Sequence, residues 1–467
     1  MRPRPWIPPL AIAGGVLLGY HNAFRGSFQF DDFNVIVDNP AVHSLSAWLA
    51  GAPHGIRPVL KLTYALNWVC GPAPFGFHLF NVAIHAANAY LVYRLSGRVF
   101  SRIAGPEKVA SSVGPCFTAL LFALHPVQTE AVTYVSGRSM SLMAFFYLAS
   151  MLTYVRGAET YCRFRLYAAS PALFLTAALT KEVALTLPAA LLLWEASFGG
   201  LRGRWKKVAR LQAAHWVVFS FAAATVLLHP AYLGMVGYGL ASRPIGQNLL
   251  SQVNGVAYLL SRLLMVHRLN IDPELPVLDA WNPVLAAEAA FFLSVAILGI
   301  ASLRRSPALG FGILWFFLQM LPANSVIPRL DIANERHLYL ASWGIFLSAG
   351  IGLEWVRKMR FLPVRWIPAA LMFAAVLLAG FTVDRNRAYR SEVALWEETV
   401  RLSPGKPRAH NNLGYAYQQA GLPGKAARSY RETLRLDAGF RVAQGNLATL
   451  ETLERGGAFL KKGERAY

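Results

Sequence analysis

Along the chain, apolar residues gather in blocks of roughly twenty separated by short polar turns, which is the length an α-helix needs to cross a bilayer. The blocks predict spans near 6–23, 76–96, 109–124, 139–155, 164–180, 182–198, 213–231, 283–303, 307–322, 337–356 and 365–383. Those well under about 20 residues require a thin or protein-lined stretch of membrane. The expected fold class is all-α: a polytopic membrane protein with about eleven transmembrane helices. Residues 248–266 are apolar too, but Gln252, Asn254 and Arg262 interrupt them. They predict an interfacial or partly buried helix; if that block spans, the C-terminal tail changes sides.

The first outer loop, 24–75, holds two amphipathic stretches, 44–49 and 58–68. In the second, Val59, Leu62, Ala65, Leu66 and Val69 recur at helical spacing, as in helices that lie on a membrane surface. Beyond Thr382 the pattern turns soluble and helical, which divides the chain into a membrane domain, 1–383, and a tail, 384–467. Residues 407–440 fit the tetratricopeptide pattern, with Leu413, Gly414, Tyr417, Ala426 and Tyr430 at signature positions. Trp396 and Pro404 fall one period earlier and Leu447 one period later. One full repeat with flanking half repeats is too short to be stable alone, so the tail is expected to pack on the membrane domain or on a partner protein.

Composition sharpens the class. Of 467 residues, 55% are hydrophobic and only 15% charged, and mean hydropathy is +0.38. The net charge of +21, from 45 basic and 24 acidic residues, would point to nucleic acid in a soluble protein. Here the basic residues fall on alternate turns: Arg2/Arg4, Arg98/Arg102/Lys108, Arg156/Arg163/Arg165, Arg202/Arg204/Lys206/Lys207/Arg210, Arg304/Arg305 and Arg357/Lys358/Arg360/Arg365. Positive-inside topology accounts for them, and nucleic-acid binding is set aside. The N-terminus is then cytoplasmic and the tail outside. The N-terminal segment resembles a signal peptide but lacks a small-residue cleavage site, which favours an uncleaved first span. Cys70, Cys116 and Cys162 form no CxxC, so neither a disulfide framework nor a cysteine metal site is expected.

Candidate chemistry collects in the outer loops. Asp31 and Asp32 stand together between Phe30 and Phe33. Neighbouring carboxylates repel, so the pair requires a counter-cation or a shared proton, and it is either a general base with its partner or a solvated acidic turn. Arg57 and Lys61 follow in the same loop. In the second cluster, His125 and Glu130 precede Arg138. On a helix starting near Thr129, Glu130, Tyr134 and Arg138 share a face, as a polar stripe toward a substrate or as a structural ion pair. The third cluster runs from Asn334 through Glu335, Arg336 and His337 to Tyr339. Arginine suits a lipid phosphate because its planar fork matches phosphate oxygens; the alternative is an interfacial anchor set. Lys181-Glu182 reads as a structural turn, and Arg243 and Asp272 as weak head-group candidates. No Walker A loop, HExxH or GxSxG is present.

Taken in order, these short motifs resemble one family. They are the Asp31-Asp32 pair; Arg57-Pro58 followed by Leu60 to Asn67; Gly76-Phe77-His78-Leu79 with Asn81 and His85; His125-Pro126 with Thr129-Glu130-Ala131-Val132 and Gly137-Arg138; Lys181-Glu182; and Glu335-Arg336 before Leu338-Tyr339-Leu340 and Ser342. The chain is similar over nearly its whole length to the transmembrane-and-tetratricopeptide glycosyltransferases of the GT-C superfamily, whose animal members are O-mannosyltransferases. The short repeat tail suits a bacterial-type member.

The resemblance implies transfer of a sugar from a polyprenyl-phosphate-linked donor to a hydroxyl acceptor, on a protein or an envelope glycan or lipid, at the outer face of a bacterial inner membrane. It implies Asp31 or Asp32 as catalytic base, with Asp32 set slightly ahead. Arg138, Arg336 and Arg57 would hold the donor phosphate, and His125, Glu130, Glu335 and Tyr339 would orient substrates. No cofactor is expected: two carboxylates can hold a divalent ion, but arginine can neutralise a departing phosphate without one. The competing readings are a lipid-carrier transporter, which calls for mid-span polar residues and an inverted repeat, and a non-catalytic scaffold acting through the tail.

Overall fold

The computed structural model describes residues 6–104, 113–199, 203–324, 326–359 and 366–455. Arg2, Arg4, Lys108, Arg202, Arg360, Arg365 and the tail beyond 455 lie outside the described residues. Within them the chain is all-helical, with no strand. Five helices combine the length and hydropathy to cross a bilayer: Glu182–Gly199, Trp205–Leu228, Pro283–Arg305, Glu335–Lys358 and Ile367–Arg390. Val113–Leu124 and Pro307–Met320 are apolar but shorter. The chain is a multi-pass membrane protein on that count.

The five differ in where they sit. Only 11% of the Pro283–Arg305 window is buried, against 56% for Glu335–Lys358. An apolar helix left uncovered by protein must meet lipid, so the first is peripheral and the second central. The central helix packs on Pro307–Met320 through glycines: a Cβ on Gly344 would lie 2.2 Å from the Gly312 carbonyl oxygen. Small residues let membrane helices approach this closely. Trp315 and Trp343 fill the adjoining space edge to face at 4.5 Å.

The amphipathic stretches of the first loop form the Leu45–Gly51 and Pro58–Cys70 helices. The ambiguous apolar block forms Ile245–Arg262, which buries Asn248, Ser251, Gln252 and Arg262 and exposes Ile245 and Leu249. Its polar face is met by polar partners, including Asn324, whose side-chain amide donates to Gln252 at 2.8 Å.

The expected stripe of Glu130, Tyr134 and Arg138 does not form. The helix stops after Thr129–Val132, a 3-10 turn covers Val135–Gly137, and a new helix starts at Arg138. The chain folds back so tightly that a Cβ on Gly137 would stand 2.0 Å from the Glu130 carbonyl oxygen. Helical spacing was present, but the close return at Gly137 interrupts the helix. Glu335 lies in the 3-10 turn Glu335–His337, which leads directly into the helix Leu338–Lys358 that carries Tyr339.

The last membrane helix runs to Asn386, and the tail follows as Glu392–Leu402, Pro407–Gln419, Pro423–Leu436 and Arg441–Arg455. Gly414 lies against the Tyr430 ring, which a Cβ would approach to 2.6 Å. The tail packs on the membrane domain. Asp272 pairs with Lys406 and Arg408, and Arg408 also with Asp331. Asn270 donates its side-chain amide to Ser403 at 2.7 Å, and the Gly405 N–H donates to Glu274 at 2.9 Å. Asp272, a head-group candidate by sequence, is therefore occupied by the tail.

Candidate active site

The two aspartates diverge at once. Asp32 is 1% exposed. Its carboxylate accepts the Gln29 N–H at 3.0 Å, the Ser136 N–H at 2.8 Å and the Ser136 hydroxyl. Burial pushes its pKa up to about 7, because removing the charge from water outweighs those donors. Asp31 instead lines a cavity of ≈ 410 Å³, while its backbone N–H donates to the Tyr134 hydroxyl at 3.0 Å. The preceding residue, Phe30, adopts a left-handed conformation with φ 48°. Such a turn costs a non-glycine residue about 1–2 kcal/mol and is sustained only by its surroundings.

Five basic side chains line the same cavity: Arg57, Lys61, Lys181, Arg329 and Arg336. Arg57 is the second residue held left-handed, at φ 56°. It makes a forked pair with Glu182 at 2.7 and 3.0 Å, and Arg329 approaches the same carboxylate at 3.8 Å. Arg336 Nε stands 3.5 Å from Glu130, which also accepts the Arg336 N–H at 2.9 Å. Burial raises the Glu130 pKa and Arg336 opposes that rise. Among the described residues, Lys61 and Lys181 have no carboxylate within ion-pair reach. Lys181 is buried and donates to Ser139 at 3.1 Å; burial first, then Arg57 and Arg336, hold its pKa well below the usual lysine value. An anion entering the cavity would favour the ammonium form of this lysine.

A second cavity of ≈ 160 Å³ adjoins the first and shares Ile56 and Arg57 with it. Its walls are mostly apolar, from Leu175, Ala178 and Leu179 on one helix and Phe221, Ala222 and Val226 on another. A cationic chamber thus opens beside an apolar slot, with Arg57 at the junction.

The other sequence candidates lie elsewhere. Arg138 is fully buried and does not line the cavity. Its guanidinium donates to Asn81 at 2.6 Å and to the carbonyls of Phe77 and Thr63 at 3.1 and 3.2 Å, with the Phe80 ring at 4.5 Å. It ties the first-loop helix to the membrane helices behind Tyr64. His125 caps a 3-10 turn through the Val127 N–H and reaches the Leu263 carbonyl at 3.0 Å. Glu335 is buried and accepts the Asn270 N–H at 2.5 Å. The Tyr339 hydroxyl meets His85 at 2.8 Å and Asn88 at 3.0 Å inside the bundle. These four are away from the cavity, whereas Glu130 reaches it through Arg336.

Sequence reasoning undervalued Lys181, and it missed Arg329, Tyr64, Ser136 and Ser139 as lining residues. The available signal was the Lys181-Glu182 pair between two apolar blocks, where a buried lysine needs a reason.

No family model matches the chain. Curated relatives do. It is 25% identical over 91% of its length to the protein O-mannosyl-transferase F38B6.6 of Caenorhabditis elegans, covering 62% of that protein. It is 24% identical over 98% of its length to the protein O-mannosyl-transferase Tmtc3 of Drosophila melanogaster, covering 58%. It is 26% identical over 87% of its length to the protein O-mannosyl-transferase TMTC3 of Homo sapiens, covering 49%. The chain therefore spans about half to three-fifths of the length of these relatives.

Proposed function

We propose that this protein is an integral-membrane glycosyltransferase that moves a sugar from a polyprenyl-phosphate-linked donor to a hydroxyl acceptor. The observation that carries the reading is Asp31 lining one cavity with five basic side chains, beside an apolar slot that begins at Arg57. A lipid phosphate matches that pair of spaces: its charge belongs with the cations and its tail with the slot. The O-mannosyl-transferase activity for which the relatives are named supports the same class and makes mannose the first sugar to try.

In this reading Asp31 is the base, because Asp32 is enclosed by donors of its own loop and of Ser136. The acceptor hydroxyl attacks the anomeric carbon, its proton passes to the Asp31 carboxylate, and the bond from that carbon to the phosphate oxygen breaks. Arg57, Lys181, Arg329 and Arg336 neutralise the charge that grows on the leaving phosphate. Asp32 sets the loop, Glu130 sets Arg336, and Glu182 sets Arg57. Arg138, His125, Glu335 and Tyr339 serve the scaffold behind the site. The chamber faces outward across a bacterial inner membrane, with the repeat-like tail on that side.

The test is turnover by the purified chain in lipid, given polyprenyl-phosphate-mannose and a membrane extract as the acceptor pool. The expected result is release of polyprenyl phosphate and labelled product, reduced by about 100-fold or more in Asp31→Asn. No donor consumption, or equal turnover by Asp31→Asn, overturns the reading.

A further inference from the structure

A third cavity, of ≈ 350 Å³, lies at the far end of the bundle. The Arg138–Thr160 helix begins beside Ser136 and Ser139 of the first chamber, and its other end, Val155 to Glu159, lines this one. Twenty-three residues rise about 34 Å, close to the ~30 Å hydrocarbon thickness of a bilayer. The two cavities are therefore separated by about one bilayer thickness along this helix.

Its lining carries charges of both signs: Arg102, Arg204 and Lys207, all within electrostatic range of Glu195, and Glu159 beside Arg102. Arg102 is engaged by Glu159 at 3.3 Å. Arg204, which is exposed, donates to the Gly199 carbonyl at 3.2 Å, and Lys207 to the Tyr161 hydroxyl at 2.6 Å; among the described residues neither has a carboxylate within ion-pair reach. Glu195 is buried at 8% exposure and accepts the Tyr154 hydroxyl at 3.0 Å, again with no cation paired to it among the described residues. Its second carboxylate oxygen lies where a Cβ on Gly199 would stand, 1.9 Å away, so the glycine keeps room for the carboxylate at the cavity. Trp194 and Phe198 supply apolar wall beside these charges.

We propose that this cavity binds the head group of a zwitterionic phospholipid bearing a phosphate and a primary ammonium. The phosphate is held by Arg204 and Lys207 and the ammonium by Glu195, while the acyl chains leave along the lipid-facing helices. A purely anionic head group satisfies the two cations but leaves Glu195 facing a like charge, whereas a zwitterion completes both sets. The site is independent of the transfer reaction and does not rest on the glycosyltransferase reading.

The test is native mass spectrometry of the purified, delipidated chain with phosphatidylethanolamine, phosphatidylglycerol or a polyprenyl phosphate added. We expect phosphatidylethanolamine to be retained about tenfold better than phosphatidylglycerol. Arg204→Ala with Lys207→Ala lowers retention of both phospholipids by about tenfold. Glu195→Gln, nearly isosteric, removes the preference between them while phosphatidylglycerol retention holds. Equal retention of the two phospholipids by the wild type, retention unchanged in the double variant, or displacement by polyprenyl phosphate at equal concentration overturns the proposal. Should the double variant fail to fold, Lys207→Gln alone and Glu195→Gln decide it by the same readings.

Discussion

Phe30 donates its backbone N–H to the Glu392 carboxylate at 2.9 Å. The two residues are separated by nearly the whole membrane domain, yet this bond holds the residue next to Asp31 against the first helix of the tail. The Phe30 ring meets Trp396 edge to face at 5.2 Å, and Gln29 donates its amide to the Tyr389 carbonyl. The strained turn ahead of the aspartates is thus held from the tail side.

Loss of that grip is expected to affect turnover more than donor binding. Glu392→Ala removes the acceptor for the Phe30 N–H, and a part-buried hydrogen bond to a carboxylate contributes about 1–3 kcal/mol. Turnover should fall roughly tenfold with donor KM little changed, and Glu392→Gln, whose amide oxygen still accepts, should restore most of it. Steady-state kinetics on the three proteins checks this; equal kcat in wild type and Glu392→Ala removes the tail from the positioning of Asp31.

Lys181 separates stability from binding. An unpaired buried ammonium is costly to the fold, so Lys181→Met, similar in shape and uncharged, should melt no lower than wild type without donor. Its donor KM should rise about tenfold or more through loss of a phosphate contact. Thermal melting with and without polyprenyl phosphate measures both: the ligand-induced rise in Tm should shrink in the variant.

Asp32 predicts a pH dependence of stability. Its folded pKa is raised to about 7 from the ordinary aspartate value of 3.8, so across that interval the folded state binds more protons than the unfolded chain. Stability then falls as pH rises from about 4 to 7, and this contribution is gone once the folded group has ionised. Asp32→Asn lacks this slope. It also turns an amide donor toward the Gln29 or Ser136 N–H groups, a mismatch of about 1–3 kcal/mol. The wild-type advantage in Tm over Asp32→Asn should therefore be larger at pH 5 than at pH 8, and an equal advantage at both counts against a protonated Asp32.

Gly137→Ala tests the turn that brings Ser136 to Asp32. The added carbon meets the Glu130 carbonyl at 2.0 Å, so the segment must shift. The expected cost is about 1–3 kcal/mol, with a lower Tm and reduced turnover, because Ser136 supplies two of the donors that hold Asp32.

Much of the frame was readable because it follows from local periodicity. The amphipathic helix Pro58–Cys70 appeared where its spacing indicated, and the apolar block read at 248–266 forms the helix Ile245–Arg262. The candidate site was legible only in part. Asp31, Arg57 and Arg336 stood out as charges in the turns between apolar blocks and do line the cavity. Arg138 stood out by the same logic but is enclosed by Asn81, Phe77 and Phe80, since an isolated arginine in sequence carries no mark of which carbonyls will surround it.

The amino-acid sequence by itself determined the helical class, the membrane setting and the loops that hold the charge, because each is a property of short windows of residues and their spacing. Tertiary structure alone decided which aspartate faces the cavity. Asp31 and Asp32 are chemically identical neighbours; Ser136, more than a hundred positions away, encloses one of them, and Phe30, held by Glu392 and Trp396 from the tail, fixes the turn ahead of both. It also decided that Lys181 joins Arg57, Arg329 and Arg336, since charges distant along the chain become a site only when packing brings them to one wall.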